Sequence, residues 1–403
     1  MTEKSVQHTV FCRIAEKGKI TFAEFMESAL YSPLDGYYFT SGRQYPPTDY
    51  FTSPMAHPSF AALLALQLEE MWEALGAPRQ FTVIEQGSGM GHLGKYIRHY
   101  AKNLDPSFNK SLNYKELDRS FGTPNADLKE ITPKGIIGCI ISNELLDAFP
   151  FHRVKLEKGK LREIYVTTQN GSLIEVLDNP SEKALQVRLH NERVQLKEGQ
   201  IAEISLHLDS WIQDVSNVLE SGFVITIDYG DLAHQLYNET KMNGTLQCYS
   251  RHATNTNPYQ QIGKQDITAH VDFSAAMSLG NQFDLDPYDL IDQRTLLDNL
   301  GLKVFIKRLN YEGLSQNQRD INRMAMLELT RQNGLGNFKV LIQSKNLIQP
   351  KITAITGNNV QLKNRLSKLP LPLLEQDHIN LFESRYPHAY NESGDGWTYE
   401  NIY

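Results

Sequence analysis

From residue 59 to residue 343 the chain alternates between two hydrophobic rhythms. "SFAALLALQLEEMWEAL" sets Phe60, Leu63, Leu64, Leu68, Met71, Trp72 and Leu75 at helical spacing, which predicts an amphipathic helix. The runs that follow are shorter and almost continuously apolar: "FTVIE" (81–85), "IIGCIIS" (136–142), "FVITID" (223–228) and the weaker "FKVLIQ" (338–343). Strands buried on both faces leave this mark. Helical patterns stand between some of them, as in "LDSWIQDVSNVLE" (208–220) and "QRDINRMAMLELTRQ" (318–332). Strand and helix in turn predict an α/β protein around a parallel sheet.

Three stretches depart from this rhythm. Upstream, "ITFAEFMESALY" reads as a helix whose Thr21 and Glu24 stand at capping-box spacing, followed by a Pro-, Gly- and Tyr-rich loop from 32 to 58. Aromatic residues in and beside that loop (Tyr31, Tyr37, Tyr38, Phe39, Tyr45, Tyr50, Phe51, Phe60) favour order. Residues 151–205 alternate apolar with polar positions and carry Asn170-Gly171, a two-residue hairpin signal, so an antiparallel insertion or small lobe is expected there. From Asn346 the chain turns Asn- and Pro-rich and reads as an extended tail over the core. The expected organisation is a helical and aromatic N-terminal segment (1–75) covering the site, a core of 76–150 and 206–345, the insertion, and the tail (346–403).

Length and composition narrow the picture. A chain of 403 residues with 40% hydrophobic and 22% charged residues buries a large core. A net charge of -7 argues against a broad nucleic-acid footprint. Cys12, Cys139 and Cys248 are too few and too scattered for a disulfide framework, which points to a reducing compartment. The N-terminus lacks a secretory h-region and no stretch reaches membrane-spanning length, so a cytoplasmic protein without membrane insertion is expected.

The chemistry gathers after the first apolar run, in "FTVIEQGSGMGHLG" (81–94). Gly89, Gly91 and Gly94 satisfy the G-x-G-x-x-G pattern of a dinucleotide site. Glu85, Gly87, Gly89 and Gly91 instead read E-x-G-x-G-x-G, the pattern of a class I S-adenosylmethionine site. Both use glycine to bring a ligand against bare backbone. They differ at Glu85: a carboxylate at the strand tip attracts an ammonium or sulfonium by about 4 kcal/mol at roughly 4 Å and an effective dielectric near 20, before desolvation, and repels a pyrophosphate. Glu85 therefore favours S-adenosylmethionine, with Gly87, Ser88, Gly89, Gly91 and Leu93 as its cradle. Either cofactor calls for an acidic residue after the second strand, and Glu116 in "LNYKELDRS" is the candidate, with Asp118 competing.

"ITFAEFMESALYSPLDGYY", "DYFTSP", "VIEQGSGMGHLG", "ISNELLDAFP", "ITIDYG" and "GKQDITAHVDF" occur in that order. Together they resemble the MidA-like S-adenosylmethionine-dependent methyltransferases, the family that includes the mitochondrial complex I assembly methyltransferase. The resemblance runs from about residue 15 to about residue 343. It implies a class I methyltransferase (Rossmann-like) fold: a seven-stranded, mostly parallel sheet with one antiparallel strand, flanked by helices. It also implies methylation of an arginine on a protein substrate, with a respiratory-complex subunit as the acceptor. After "TSP" the family usually continues Glu-Ile-Ser, where this chain has Met55-Ala56-His57.

Holding a guanidinium for methyl transfer calls for carboxylates in fixed geometry. Asn143, Glu144 and Asp147, directly after "IIGCIIS", are the expected acceptor group; a helical turn would put Glu144 and Asp147 on one side. Asp228 and Tyr229 end the next strand on the same rim and join them as catalytic candidates, while Thr52 and Ser53 in the aromatic loop are expected over the cofactor. Asp266, Thr268, His270 and Asp272 lack the further ligands a metal site needs, and a structural or substrate-channel role is preferred. An NAD-dependent oxidoreductase and a non-catalytic assembly factor remain the competing readings.

Overall fold

The computed structural model describes residues 5–33, 35–39, 52–119, 128, 135–250, 253–357 and 359–375. Tyr45, Tyr50 and Phe51 of the aromatic loop lie outside them.

A seven-stranded sheet organises the core. Leu112–Leu117, Phe81–Gln86, Ile136–Asn143 and Leu219–Asp228 lie side by side, all parallel. Lys339–Lys345 adds on antiparallel, and the two-residue strands Asp286–Pro287 and Ile291–Asp292 both pair with its outer edge. The apolar runs are continuous because each strand feeds two cores. Val83, Cys139, Ile141, Phe223 and Ile225 face Phe60, Leu64, Leu68 and Tyr96. Ile84, Ile140 and Val224 face Trp211, Val215 and Phe273. Successive strand side chains point to opposite faces, and helices cover both.

A second sheet is antiparallel, in the order Ile20–Thr21, Lys160–Gln169, His152–Glu157, Ile201–Ile204, with Ser172–Asp178 on Lys160–Gln169. Asn170 and Gly171 both have positive φ (50° and 77°) between paired Gln169 and Ser172, as a type I′ turn demands. Lys158-Gly159 makes the same turn (51° and 69°) one hairpin earlier. The capping box of Thr21 and Glu24 is present at the start of Phe22–Tyr31.

The segment after Asn346 differs from an extended tail. It forms the short helices Thr353–Thr356 and Val360–Leu366, and buries Ala354 and Leu366 in the core that holds Phe60. Arg365 pairs with buried Glu69, and Thr353 donates to Glu70.

Candidate functional site

Two loops leave the carboxyl ends of adjacent parallel strands, and a cavity of about 180 Å³ opens between them. Open α/β sheets place ligands at this position.

The first loop is 87–91. Gly87, Gly89 and Gly91 all have positive φ (74°, 51° and 71°), which only glycine adopts freely. Backbone hydrogen bonds close it: Gly87 N donates to Leu117 O at 2.8 Å and Gly91 N to Ser88 O at 2.8 Å. A Cβ on Gly89 would meet nothing within 4 Å, so its backbone faces open space; one on Gly87 would meet Leu145 Cδ1 at 2.9 Å. Gly94 packs the next helix against Glu116 and Tyr114, with no room for a side chain.

Glu85 lines the cavity yet is only 3% exposed. Its Oε2 accepts the Tyr114 hydroxyl at 2.8 Å, and no ion pair engages it among the described residues. Burial pushes its carboxyl up to about 8, with Glu116 adding to the rise and Tyr114 opposing it. Gln86, Ser88, Leu93 and Thr52 also line the cavity.

The residues after the second strand separate. Glu116 does not line the cavity; it turns to the Gly91–Gly94 side and pairs with Arg98 at 2.7 Å. Asp118 lies on the wall, and its Oδ2 accepts Gly89 N at 2.7 Å. Alternation would keep residues two apart on one face, but the strand ends at Leu117, and beyond it the backbone no longer holds Asp118 to the side that Glu116 takes.

The second loop is 143–149. Asn143 and Glu144 line the same cavity. The expected helical turn is absent: Glu144 sits at φ 53°, a left-handed conformation costly for a side-chain-bearing residue. Its N–H donates to Ile227 O at 2.9 Å and its carboxylate accepts Asn143 Nδ2 at 3.0 Å. Asp147 accordingly points elsewhere, into a neighbouring cavity. Its Oδ2 accepts the Tyr229 hydroxyl, and its Oδ1 is buried without a hydrogen-bond partner, as is Asn143 Oδ1.

Asp228 lies beneath this loop, fully buried. Its Oδ2 accepts the N–H groups of Leu145, Leu146 and Asp147 (3.2, 2.9 and 3.3 Å), and its Oδ1 accepts that of Tyr229 at 2.9 Å. Those bonds occupy the carboxylate with backbone and make it the loop's anchor. Tyr229 is held between His270 and Phe338, ring centroids 5.5 and 5.6 Å away. Burial, reinforced by Asp147, pushes Glu144 up to about 8. Burial also raises Asp147 and Asp228, the latter further through its two acidic neighbours.

Ser53 is buried and donates to Gln293 Oε1 at 2.9 Å, below the cavity rather than on its wall. In Met55-Ala56-His57, Met55 lines the cavity, and buried His57 joins Ser59 to Asn322. Asp266 accepts the Tyr38 hydroxyl at 3.0 Å, and Asp272 caps the helix Phe273–Gln282. Arg119 and Phe149 line the cavity without having been singled out in the sequence, and Tyr31, expected only to order the aromatic loop, lines it too. Only the string "NELLDAFP" pointed toward Phe149, and nothing in "ELDRS" distinguishes Arg119.

The residues fit a cation-bearing nucleoside donor: bare backbone at Gly89, a buried carboxyl at Glu85 and a wall carboxylate at Asp118. Comparison with known proteins agrees. The family model described as "Putative S-adenosyl-L-methionine-dependent methyltransferase" matches residues 63–123 and 124–291, more than half of the chain. Protein arginine methyltransferase NDUFAF7, mitochondrial, of Bos taurus is 26% identical over 75% of each chain, and its Homo sapiens counterpart 25% over 75% of each. A crystal structure of a Burkholderia thailandensis protein bound to S-adenosyl-homocysteine superposes with a TM-score of 0.76 at 25% identity, over 88% of this chain and 96% of that one. The chain thus belongs to the MidA-like family of S-adenosylmethionine-dependent methyltransferases, and S-adenosylmethionine is its cofactor.

Proposed function

We propose that the enzyme methylates an arginine side chain of a protein. One observation carries the reading. Glu144, Asp147 and Asp228 crowd into one buried loop beside the donor cavity, and no Lys or Arg pairs with any of them among the described residues. Burial raises all three; Asp228 is already occupied by backbone N–H groups, which leaves Glu144 and Asp147 as the acids a basic side chain could meet. The relatives named protein arginine methyltransferases support the same acceptor.

In this reading Glu85, Gly87, Ser88, Gly89, Gly91, Leu93, Thr52 and Asp118 hold the donor, with Asp118 rather than Glu116 on the ribose hydroxyls and Ser53 supporting Thr52 from below. The donor supplies a methyl group already activated on a sulfonium. Glu144 holds the guanidinium in a fixed orientation at the cavity wall, Asn143 Oδ1 accepts a further N–H, and the Glu144 carboxylate takes the proton that the guanidinium releases, while Asp147 faces the neighbouring cavity. Asp228 and Tyr229 position both carboxyls without touching the acceptor. A respiratory-complex subunit, the acceptor that the family resemblance implies, is part of this proposal. No helix among the described residues is long and apolar enough to cross a membrane.

The test is incubation with labelled S-adenosylmethionine and host-cell lysate, followed by mass spectrometry of modified peptides. Label on arginine side chains is expected. Label confined to nucleic acid or small molecules overturns the acceptor while leaving the enzyme class intact.

A further inference from the structure

A second, much smaller cavity, of about 30 Å³, lies on the other side of the 143–149 loop. Phe149 lines both cavities, so they are neighbours. Asp147, Glu203 and Asp272 all line it, each more than nine-tenths buried. The facing cation, Arg188, is engaged by Asp209. Glu203 Oε2 accepts Thr245 N at 2.8 Å, while its Oε1 has no hydrogen bond and only faces Arg153 at 3.9 Å. Two further oxygens have neither a hydrogen bond nor an ion pair. Asp147 Oδ1 and Asp272 Oδ2 are buried in this wall with no hydrogen-bond partner. The Tyr237 hydroxyl lies 3.2 Å from Glu203 O and also reaches the Asp272 carboxyl, opposing the rise that burial causes there. Exposed His270 marks the mouth.

Unpaired buried carboxylate oxygens lining one cavity call for a ligand with N–H donors and positive charge. We propose that this cavity is a subsite for a second basic side chain of the acceptor protein, one flanking the arginine that is methylated. It rests on the protein-acceptor reading above and extends it. Asp147 then serves this cavity: its Oδ2 is fixed by Tyr229, and its Oδ1 is presented to the flanking guanidinium or ammonium. The enzyme would select arginines with a basic neighbour in the sequence or on the folded surface of the substrate.

The test uses the full chain without donor or acceptor. Crystals are soaked with guanidinium chloride, and binding of Nα-acetyl-arginine N-methylamide is measured by calorimetry against its citrulline analogue. Planar density bonded to Asp147 Oδ1 and Asp272 Oδ2 is expected, with no heat from the citrulline compound. Asp272→Asn keeps the helix cap, because asparagine caps as well as aspartate, but removes the charge. It should weaken arginine-amide binding at least tenfold while leaving S-adenosylmethionine affinity and the unfolding midpoint in place. Ordered water alone in the cavity, or equal binding by the wild type and Asp272→Asn, overturns the subsite. Neither result bears on which residue is methylated, so the lysate experiment judges that question separately.

Discussion

The glycine loop and the acidic loop sit at the same height on neighbouring strands, with Gln86 paired to Ser142, yet they are built by opposite means. The glycine loop is local. Three residues without Cβ atoms permit its positive φ angles, and Ser88 O and Leu117 O tie it down. The acidic loop is held from outside. Asp228, on the adjoining strand, accepts three of its N–H groups, Tyr229 fixes Asp147, and Glu144 keeps a left-handed backbone that its own side chain resists. A cradle made of missing side chains tolerates little but needs no distant partner. A constellation of buried carboxyls exists only while the strand beneath it stays in register.

The sharpest way to break this contrast is Asp228→Ala. Three N–H groups lose their acceptor inside the protein, and a loss of about 3 kcal/mol in urea unfolding is expected, with methyl transfer abolished. A variant that stays active and stable would show that the acidic loop holds itself. Next comes Glu144→Gln. It should lower the methyl-transfer rate about 100-fold, roughly 2.7 kcal/mol, while donor affinity by calorimetry moves less than twofold. An equal loss of donor binding would merge the two regions into one.

Glu85→Gln tests the donor side, with an expected tenfold loss of S-adenosylmethionine affinity. With its carboxyl raised to about 8, Glu85 is mostly protonated at pH 7, and a cation beside it lowers that value. Donor binding should therefore release a proton, seen as a binding heat that differs between phosphate and Tris. The affinity should rise with pH up to about 8. Without donor, the folded protein retains this proton from the ordinary 4.5 up to about 8, whereas the unfolded chain has already released it. Stability should fall as pH rises through that window, and less so in Glu85→Gln. The smallest effects are Gly87→Ala and Gly89→Ala, each costing about 1–2 kcal/mol for the left-handed backbone. Gly87→Ala adds a clash with Leu145, so its loss in thermal unfolding should be the larger. Gly89→Ala puts its methyl into open space and should instead lose donor affinity.

The fold was legible wherever the pattern had one physical cause. Runs such as "IIGCIIS" are apolar throughout because helices cover both faces of the parallel sheet, and Asn170-Gly171 is a turn because both residues tolerate positive φ. The Leu112–Leu117 strand is harder to see. It is an edge strand, mostly half-buried, so its polar side chains carry no apolar signal. The segment after Asn346 was misleading for the opposite reason: its two short helices owe their order to Glu69, Gln67 and the core around Phe60, not to a strong helical pattern of their own.

By itself, the sequence determined the sheet's buried strands, the glycine turn and which carboxylates stand near the strand ends, because each is written in nearest-neighbour chemistry: alternation, absent Cβ atoms, spacing. Only the tertiary structure decided where each carboxylate points. Glu144 faces the donor cavity, Asp147 the cavity beyond it, Asp228 the backbone and Glu116 an arginine. Side-chain direction at a strand end depends on one left-handed residue and on hydrogen bonds from a strand more than eighty positions away, and no local pattern encodes either.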